Sequence, residues 1–251
     1  MKLMTHLYFG DPSTEFSLTL AKTLVENGAD ALEIGIPYTD PVCDGEVFQR
    51  SCARALCSGT TPYNVLEGAK KLSKTLKVPI YLTSYYGPIF KIGVTKFVKM
   101  AKQAGVTGLI VPDLLLEEQS ELSAACKEYG LSIIQFVTMY STKERLEKII
   151  AESSDFIYCT ALPGVTGDKI QKDKLYKLLK LIKSNTNKKI LVGFGISSGK
   201  DVKEIIKMGA DGIIVGSAFA KIYGKNIKNP DCTLSQVGAF IKSLKEGTIR
   251  I

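Results

Sequence analysis

Two carboxylates, Glu33 and Asp44, are spaced in a way that suits proton-transfer chemistry. Glu33 lies within an apolar, partly β-branched run typical of a buried strand, and Asp44 lies in the turn-rich loop that follows it. Burying an ionisable group is costly unless the group is paired or used. If the loop returns Asp44 to the end of the strand, the two carboxylates share one site in different environments, which separates their pKa values. The sequence therefore predicts acid/base chemistry in which the two groups have different roles.

The elements that must position these carboxylates alternate between strand and helix patterns. Eight apolar, β-rich segments are predicted as strands: His6–Phe9, Ala31–Ile36, Val78–Tyr85, Gly108–Pro112, Leu131–Val137, Phe156–Ala161, Lys189–Gly193 and Gly212–Val215. Segments with helical periodicity lie between them, and this alternation requires parallel strands joined by crossovers. Eight such units in 251 residues predict an α/β protein built as a single (β/α)8 TIM barrel, with residues 1–251 forming one domain. An open doubly wound sheet is the alternative, but the chain has no Gly-x-Gly-x-x-Gly after its first strand.

The active site of such a barrel lies at the carboxyl ends of its strands. The predicted wall of that site carries no lysine and no histidine cluster; it comprises Gly10, Asp11, Glu33, Tyr85, Tyr86, Asp113, Thr138, Met139, Thr160, Gly195, Gly216 and Ser217. A Schiff-base mechanism needs a lysine and a zinc mechanism needs histidines, so the sequence favours metal-free acid/base catalysis by carboxylates, with Tyr158 as a further candidate. His6 is predicted to be a pocket-floor or core residue, because no carboxylate is its neighbour in sequence. Asp113 fits a helix cap as well as it fits a site residue.

Three glycine-bearing segments follow the last three predicted strands and outline an anion site. They are Pro163–Gly167, Gly193–Ser198 and Val215–Ala218. Glycine lets a ligand approach the backbone closely, and Ser217 is predicted to cap the next helix, whose first N–H groups attract an anion. Since barrel enzymes often bind phosphate beside strands seven and eight, we expect a phosphate-bearing ligand.

Composition argues against several other classes of protein. The net charge of +8 arises almost entirely from lysines at amphipathic-helix spacing, without the aromatic and arginine residues that stack bases, so no nucleic-acid partner is expected. No run is long and apolar enough for a membrane span or a signal peptide, which predicts a cytoplasmic protein. The six cysteines form no Cys-x-x-Cys pair, which favours reduced thiols over disulfides or a zinc site. Cys43 lies in the loop of Asp44, but without a partner histidine its case as a nucleophile is weak.

Residues 32–45 read LEIGIPYTDPVCDG, which resembles the signature of the tryptophan synthase alpha subunit family. The resemblance extends in chain order over Gly10-Asp11-Pro12, Gly108–Asp113, Gly164–Gly167, Gly193–Ser197 and Gly216-Ser217. It implies a barrel enzyme that cleaves indole-3-glycerol phosphate to indole and glyceraldehyde 3-phosphate by a retro-aldol reaction. It also implies an α2β2 tetramer, in which indole passes to a beta subunit that holds pyridoxal phosphate, whereas this chain carries no cofactor and no metal.

The resemblance also assigns roles to residues of this chain. It implies that Glu33 is the general acid/base that delivers a proton to indole C3, that Asp44 stabilises charge at the indole nitrogen, and that Tyr158 lies beside them. The residues implied to hold the phosphate are Gly167, Gly195, Gly216 and Ser217. Asp40 and Pro41, in the same loop as Asp44, are implied to face the beta subunit.

Four departures from the family pattern lie next to the expected site. They are Gly87, Leu115, Leu162 and Pro163, where the family usually carries an asparagine, a proline and a polar, basic hinge before its Gly-Val-Thr-Gly lid. Proline fixes φ and removes a donor, so closure of the lid is expected to be altered. Two functions stay open: a working lyase, or a catalytically weakened subunit that binds ligand and acts mainly as an allosteric activator of the beta subunit.

Overall fold

Eight parallel strands close into a barrel in the computed structural model, which describes residues 1–160, 172–193 and 195–249. The strands are β1 (Leu3–Tyr8), β2 (Ala31–Gly35), β3 (Ile80–Thr83), β4 (Gly108–Ile110), β5 (Ser132–Val137), β6 (Phe156–Thr160), β7 (Lys189–Gly193) and β8 (Gly212–Val215). Each strand pairs with the next one along the chain, and β1 closes the ring on β8 with Leu3 opposite Ile213. The predicted (β/α)8 barrel is confirmed, although β1 begins at Leu3 rather than at His6.

Helices follow the strands around the outside of the barrel. They are α1 (Thr14–Glu26), α2 (Glu46–Cys57), α3 (Pro62–Thr75), α4 (Tyr86–Ile92), α5 (Val94–Gln103), α6 (Ser120–Tyr129), α7 (Lys143–Glu152), α8 (Lys172–Asn185), α9 (Gly199–Lys207), α10 (Ser217–Gly224) and α11 (Leu234–Gly247). The sequence patterns do not predict α2 or α4. Helix α2 starts after Gly45 without a side-chain cap, and α4 is short and contains Gly87 and Pro88. Within the described ranges, no helix is long and apolar enough to cross a membrane.

Side chains on the strands alternate between two apolar cores. Leu3 and Leu7 of β1 belong to the larger core between the strands and the helices. Met4 of β1 belongs instead to the core inside the barrel, together with Ala31 and Phe156. These three residues lie near the amino-terminal ends of their strands, so the inner core fills that end of the barrel and leaves the carboxyl end for polar side chains.

A buried ion pair joins the loop after β1 to two helices. The Asp11 carboxylate is fully buried and accepts hydrogen bonds from Arg54 Nε at 2.6 Å and Arg54 Nη2 at 2.8 Å. The Tyr223 hydroxyl donates a third hydrogen bond to it at 2.8 Å. Asp11 is therefore bound to α2 and α10, and the expectation that it forms part of the site wall is wrong, because its oxygens are turned toward these helices.

Candidate functional site

A cavity opens at the carboxyl ends of the barrel strands. Its polar lining side chains are His6, Tyr8, Glu33, Cys43, Asp44, Thr83, Tyr85, Tyr158 and Ser217. Its apolar lining includes Phe48, Ile110, Pro112, Phe136, Ile196, Ile214 and Val215, and the backbone of Gly195 and Gly216 also lines it.

Glu33 enters this cavity from the middle of β2, where it is paired with His6 of β1 and Tyr81 of β3. Its side chain is 2% exposed. Oε1 accepts a hydrogen bond of 2.5 Å from Thr83 Oγ1 and lies 3.0 Å from His6 Nδ1. Oε2 has no hydrogen-bond partner among the described residues. One oxygen of Glu33 is therefore anchored, and the other is left for a ligand.

Asp44 faces the same cavity from the loop between β2 and α2. Its Oδ2 accepts hydrogen bonds from the Tyr8 hydroxyl at 2.5 Å and from the Tyr85 hydroxyl at 2.9 Å. Burial raises the pKa of Asp44, and these donors and the nearby His6 offset that effect only in part. Gln49 Nε2 fixes the loop by donating to the Asp44 carbonyl at 2.8 Å. Asp44 is thus a firmly placed carboxylate with an increased affinity for a proton.

Tyr158 reaches the cavity from β6. Its ring packs against Phe136 with centroids 4.7 Å apart, and it covers Gly193, where an added Cβ would lie 2.5 Å from the phenol oxygen. Burial raises the pKa of Tyr158 well above 10.0, and the charges of Glu33 and Asp44 add to this effect. Its side chain is therefore a neutral phenol at ordinary pH, close to both carboxylates.

The residues predicted to bind phosphate are partly assembled in the described chain. Gly195, Gly216 and Ser217 line the cavity, whereas Gly167 lies outside the described residues, as do Leu162 and Pro163. Gly216 has no room for a side chain, since an added Cβ would lie 2.3 Å from Phe48 Cζ. The prediction that Ser217 caps the next helix is wrong: Ser217 is the first residue of α10, and Gly216 occupies the cap position without a side-chain hydrogen bond. The first N–H groups of the helix are still directed toward its amino-terminal end.

The loop that carries Asp44 continues outward to an exposed surface. Tyr38 stacks on Tyr85 with ring centroids 5.3 Å apart. Gly87 of α4 lies against Tyr38, because a Cβ at that glycine would lie 2.9 Å from the Tyr38 hydroxyl oxygen. Beyond Tyr38 the chain reaches Asp40, which is exposed, and Val42, which is 61% exposed.

Asp113 has a structural role in this arrangement. Its two carboxylate oxygens accept the backbone N–H of Tyr86 at 2.9 Å and 3.1 Å. Asp113 therefore binds the first residue of α4 across the strand ends. Neither Asp113 nor Tyr86 lines the cavity, so the expectation that they form part of the site wall is wrong.

Several cavity residues were not identified by the sequence analysis, among them Tyr8, Thr83 and Phe48. Tyr8 and Thr83 hold Asp44 and Glu33, and Phe48 packs on His6 with ring centroids 4.7 Å apart. Alternation along β1 is the signal that could have found Tyr8, because it faces the same side of the sheet as His6.

The thiols and other possible metal ligands do not form a second centre in the described ranges. All six cysteines are free thiols. Burial raises the pKa of Cys43, so its thiol is a weak nucleophile at neutral pH. No group of three histidine, cysteine, aspartate or glutamate side chains within the described ranges could hold a metal ion.

Known proteins resemble this chain over almost its whole length. The sequence profile of the tryptophan synthase alpha chain matches residues 1–249. The tryptophan synthase alpha chain of Prochlorococcus marinus is 38% identical over 98% of this chain and 89% of its own length. Tryptophan synthase from Mycobacterium tuberculosis superposes with a TM-score of 0.90 at 31% identity, covering 98% of this chain and 92% of the other. The tryptophan synthase complex from Pyrococcus furiosus gives a TM-score of 0.87 at 31% identity, covering 97% of both chains.

Proposed function

Because this chain belongs to the tryptophan synthase alpha chain family, we propose that its cavity cleaves indole-3-glycerol phosphate to indole and glyceraldehyde 3-phosphate. The observation that carries the proposal is the pair of buried carboxylates, Glu33 and Asp44, in one cavity. The alpha chain needs no cofactor for this reaction. Pyridoxal phosphate belongs to the beta subunit, to which the alpha chain passes indole.

The two carboxylates can carry out the reaction by proton transfer: Glu33 gives a proton and later recovers one, and Asp44 takes a proton and later returns it. Glu33 delivers a proton to indole C3, and Asp44 takes the proton from the indole nitrogen. The bond between C3 and the hydroxyl-bearing carbon of the glycerol chain then breaks, and its electron pair restores the C2–C3 double bond of indole. The hydroxyl becomes the aldehyde and returns its proton to Glu33, while Asp44 returns its proton to the nitrogen. The balance requires no other reactant, and proton transfers of this kind contribute about 10²–10⁴-fold each.

The lining of the cavity supports the same substrate. Phe48, Ile110 and Phe136 form an apolar wall suited to a planar aromatic ring. Gly216 and Ser217 bring the amino-terminal end of α10 to the cavity, where helix N–H groups favour a phosphate. The substrate would therefore lie with its ring near the two carboxylates and its phosphate near α10.

An alanine at Gly216 tests the phosphate site. The added Cβ would contact Phe48 Cζ at 2.3 Å and the His6 carbonyl oxygen at 2.8 Å, so the cap of α10 must shift. Overpacking costs about 1–3 kcal/mol, and we expect the Kd for glycerol 3-phosphate to rise about tenfold or more in calorimetric titration. Gly224→Ala is the matched control, because it is in the same helix and an added Cβ meets nothing within 4 Å. Equal affinity in the two variants would argue against phosphate binding at this helix.

We propose that the exposed part of the catalytic loop faces the beta subunit. Asp40, Pro41 and Val42 project from the same loop that positions Asp44. Leu115, one of the departures from the family pattern, is 55% exposed on the loop after β4, at the same end of the barrel. Contact with a partner at this loop would act directly on the position of Asp44. The six free thiols are consistent with a cytoplasmic enzyme.

The deciding experiment measures indole release from indole-3-glycerol phosphate by the chain alone and with its beta subunit. We expect indole in both cases. The alternative, an allosteric activator with little catalysis, predicts no indole in either case but faster synthesis of tryptophan from indole and serine by the beta subunit. That second result would refute the lyase function and support the function as an allosteric activator.

A further inference from the structure

His6 is the only histidine of the chain, and it lies beside the proposed acid/base group. Strand pairing sets it opposite Glu33, and its Nδ1 lies 3.0 Å from Glu33 Oε1. The residue is 7% exposed. Its Nε2 has no partner among the described residues, which is also true of Glu33 Oε2. The two side chains therefore form a buried pair: His6 Nδ1 contacts Glu33 Oε1, and the other polar atom of each side chain has no partner among the described residues.

We propose that His6 is a positioning residue that shares one proton with Glu33, so that the acid/base group of this cavity is the His6–Glu33 pair rather than a single carboxyl. The inference rests on the proposed function, which needs a protonated Glu33 at the start and an ionised Glu33 at the moment of bond cleavage. A neighbouring imidazolium can pass its proton to Glu33 before the transfer to C3, and it takes a proton back after Glu33 has recovered one from the substrate hydroxyl.

The hydrogen bonds around Glu33 give the proton a defined route. Oε1 is held by Thr83 at 2.5 Å and by His6 at 3.0 Å, so a proton from His6 Nδ1 arrives at Oε1. Oε2 remains for the substrate. The substrate takes one proton from the pair at C3 and returns one from its hydroxyl, so the pair has the same charge before and after the reaction.

The groups that face the pair favour a single shared proton. Tyr8 on β1, Asp44 and Cys43 on the loop after β2, Tyr85 after β3 and Tyr158 on β6 all line the cavity, and no lysine or arginine does so within the described chain. Burial disfavours the charged imidazole, but the charge and hydrogen bond of Glu33 and the charge of Asp44 outweigh it, so the pKa of His6 is raised above 6.5. The two carboxylates therefore favour a proton on the imidazole.

A single histidine makes the first test direct. In the untagged protein, the imidazole resonances report one residue, and NMR titration should give a pKa for His6 above 6.5. In Glu33→Gln the pKa should fall by more than about one unit, the coupling expected of groups that titrate as a pair. In Thr83→Val, which loses the other donor to Oε1, it should change much less. An unchanged pKa in Glu33→Gln would overturn the inference, and this result does not depend on any enzymatic activity.

The pH profile of indole release is the second test. The pair is active only with one shared proton, so the rate of the wild type should fall at high pH with the raised pKa of the pair. In His6→Gln the pH at which the rate falls should be lower by about one unit or more, because the imidazole that shares the proton is absent. Thr83→Val should lower the rate without changing that pH. A fall at the same pH in wild type and His6→Gln would overturn the inference, whereas a wild type that releases no indole at any pH would refute the proposed function and leave the NMR result standing.

Discussion

Glu33→Gln is expected to lower the rate of indole release by about 10²–10⁴-fold, the usual contribution of a general acid/base group. Glutamine has nearly the same shape and can still accept the hydrogen bond from Thr83, but it can neither give a proton to indole C3 nor take one from the substrate hydroxyl. The Kd for glycerol 3-phosphate should stay unchanged, because the proposed phosphate site is at the amino-terminal end of α10. Steady-state assays and calorimetric titration measure the two quantities separately.

Glu46→Gln is the matched control for this change. It makes the same substitution on helix α2, where Glu46 pairs with Arg50 and its side chain is 75% exposed. We expect its rate to remain within a factor of two or so of the wild type, since exposed ion pairs contribute about 0–1 kcal/mol. If Glu33→Gln were as active as Glu46→Gln, another group would have to move the proton, and the proposed role of Glu33 would be wrong.

Asp11→Asn should have the largest effect on stability. Asp11 is fully buried, and the change leaves Arg54 without its counter-ion while Tyr223 loses a charged acceptor. Removing one partner of a buried pair costs about 3–5 kcal/mol. Because the Arg54 side chain is 27% exposed and water compensates part of its charge, we expect a decrease of about 3 kcal/mol in the free energy of unfolding.

Urea unfolding followed by circular dichroism measures this decrease. The chain has no tryptophan, so the far-ultraviolet signal is the suitable probe. Glu46→Gln serves again as the control, because it breaks an exposed ion pair on the same helix as Arg54. If Asp11→Asn lowered the free energy of unfolding by less than about 1 kcal/mol, the Asp11–Arg54 pair would contribute no more than an exposed ion pair, and the prediction would be wrong.

Strand positions could be read from the sequence because buried parallel strands are continuous apolar runs. Glu33 was predictable for the same reason, as a charge inside such a run is conspicuous. The partners of Glu33 were not predictable. His6 and Thr83 lie on the two neighbouring strands, and residues that strand pairing brings together have no fixed separation along the chain. Helix α2 was not predicted because it follows a segment rich in turn-forming residues, and because its buried face, Phe48, Ser51, Cys52 and Ala55, is only weakly apolar.

The closure of the barrel has a consequence for how this protein is made. Its first strand pairs with β8, Asp11 in the loop after it binds Tyr223, and Asp30 pairs with Lys245 in the last helix. A ribosome releases the amino-terminal strand long before these partners exist, and contacts of such large sequence separation form late and slowly. The nascent chain must therefore carry an open edge at β1 during most of its synthesis, and truncation before β8 would leave that edge permanently exposed.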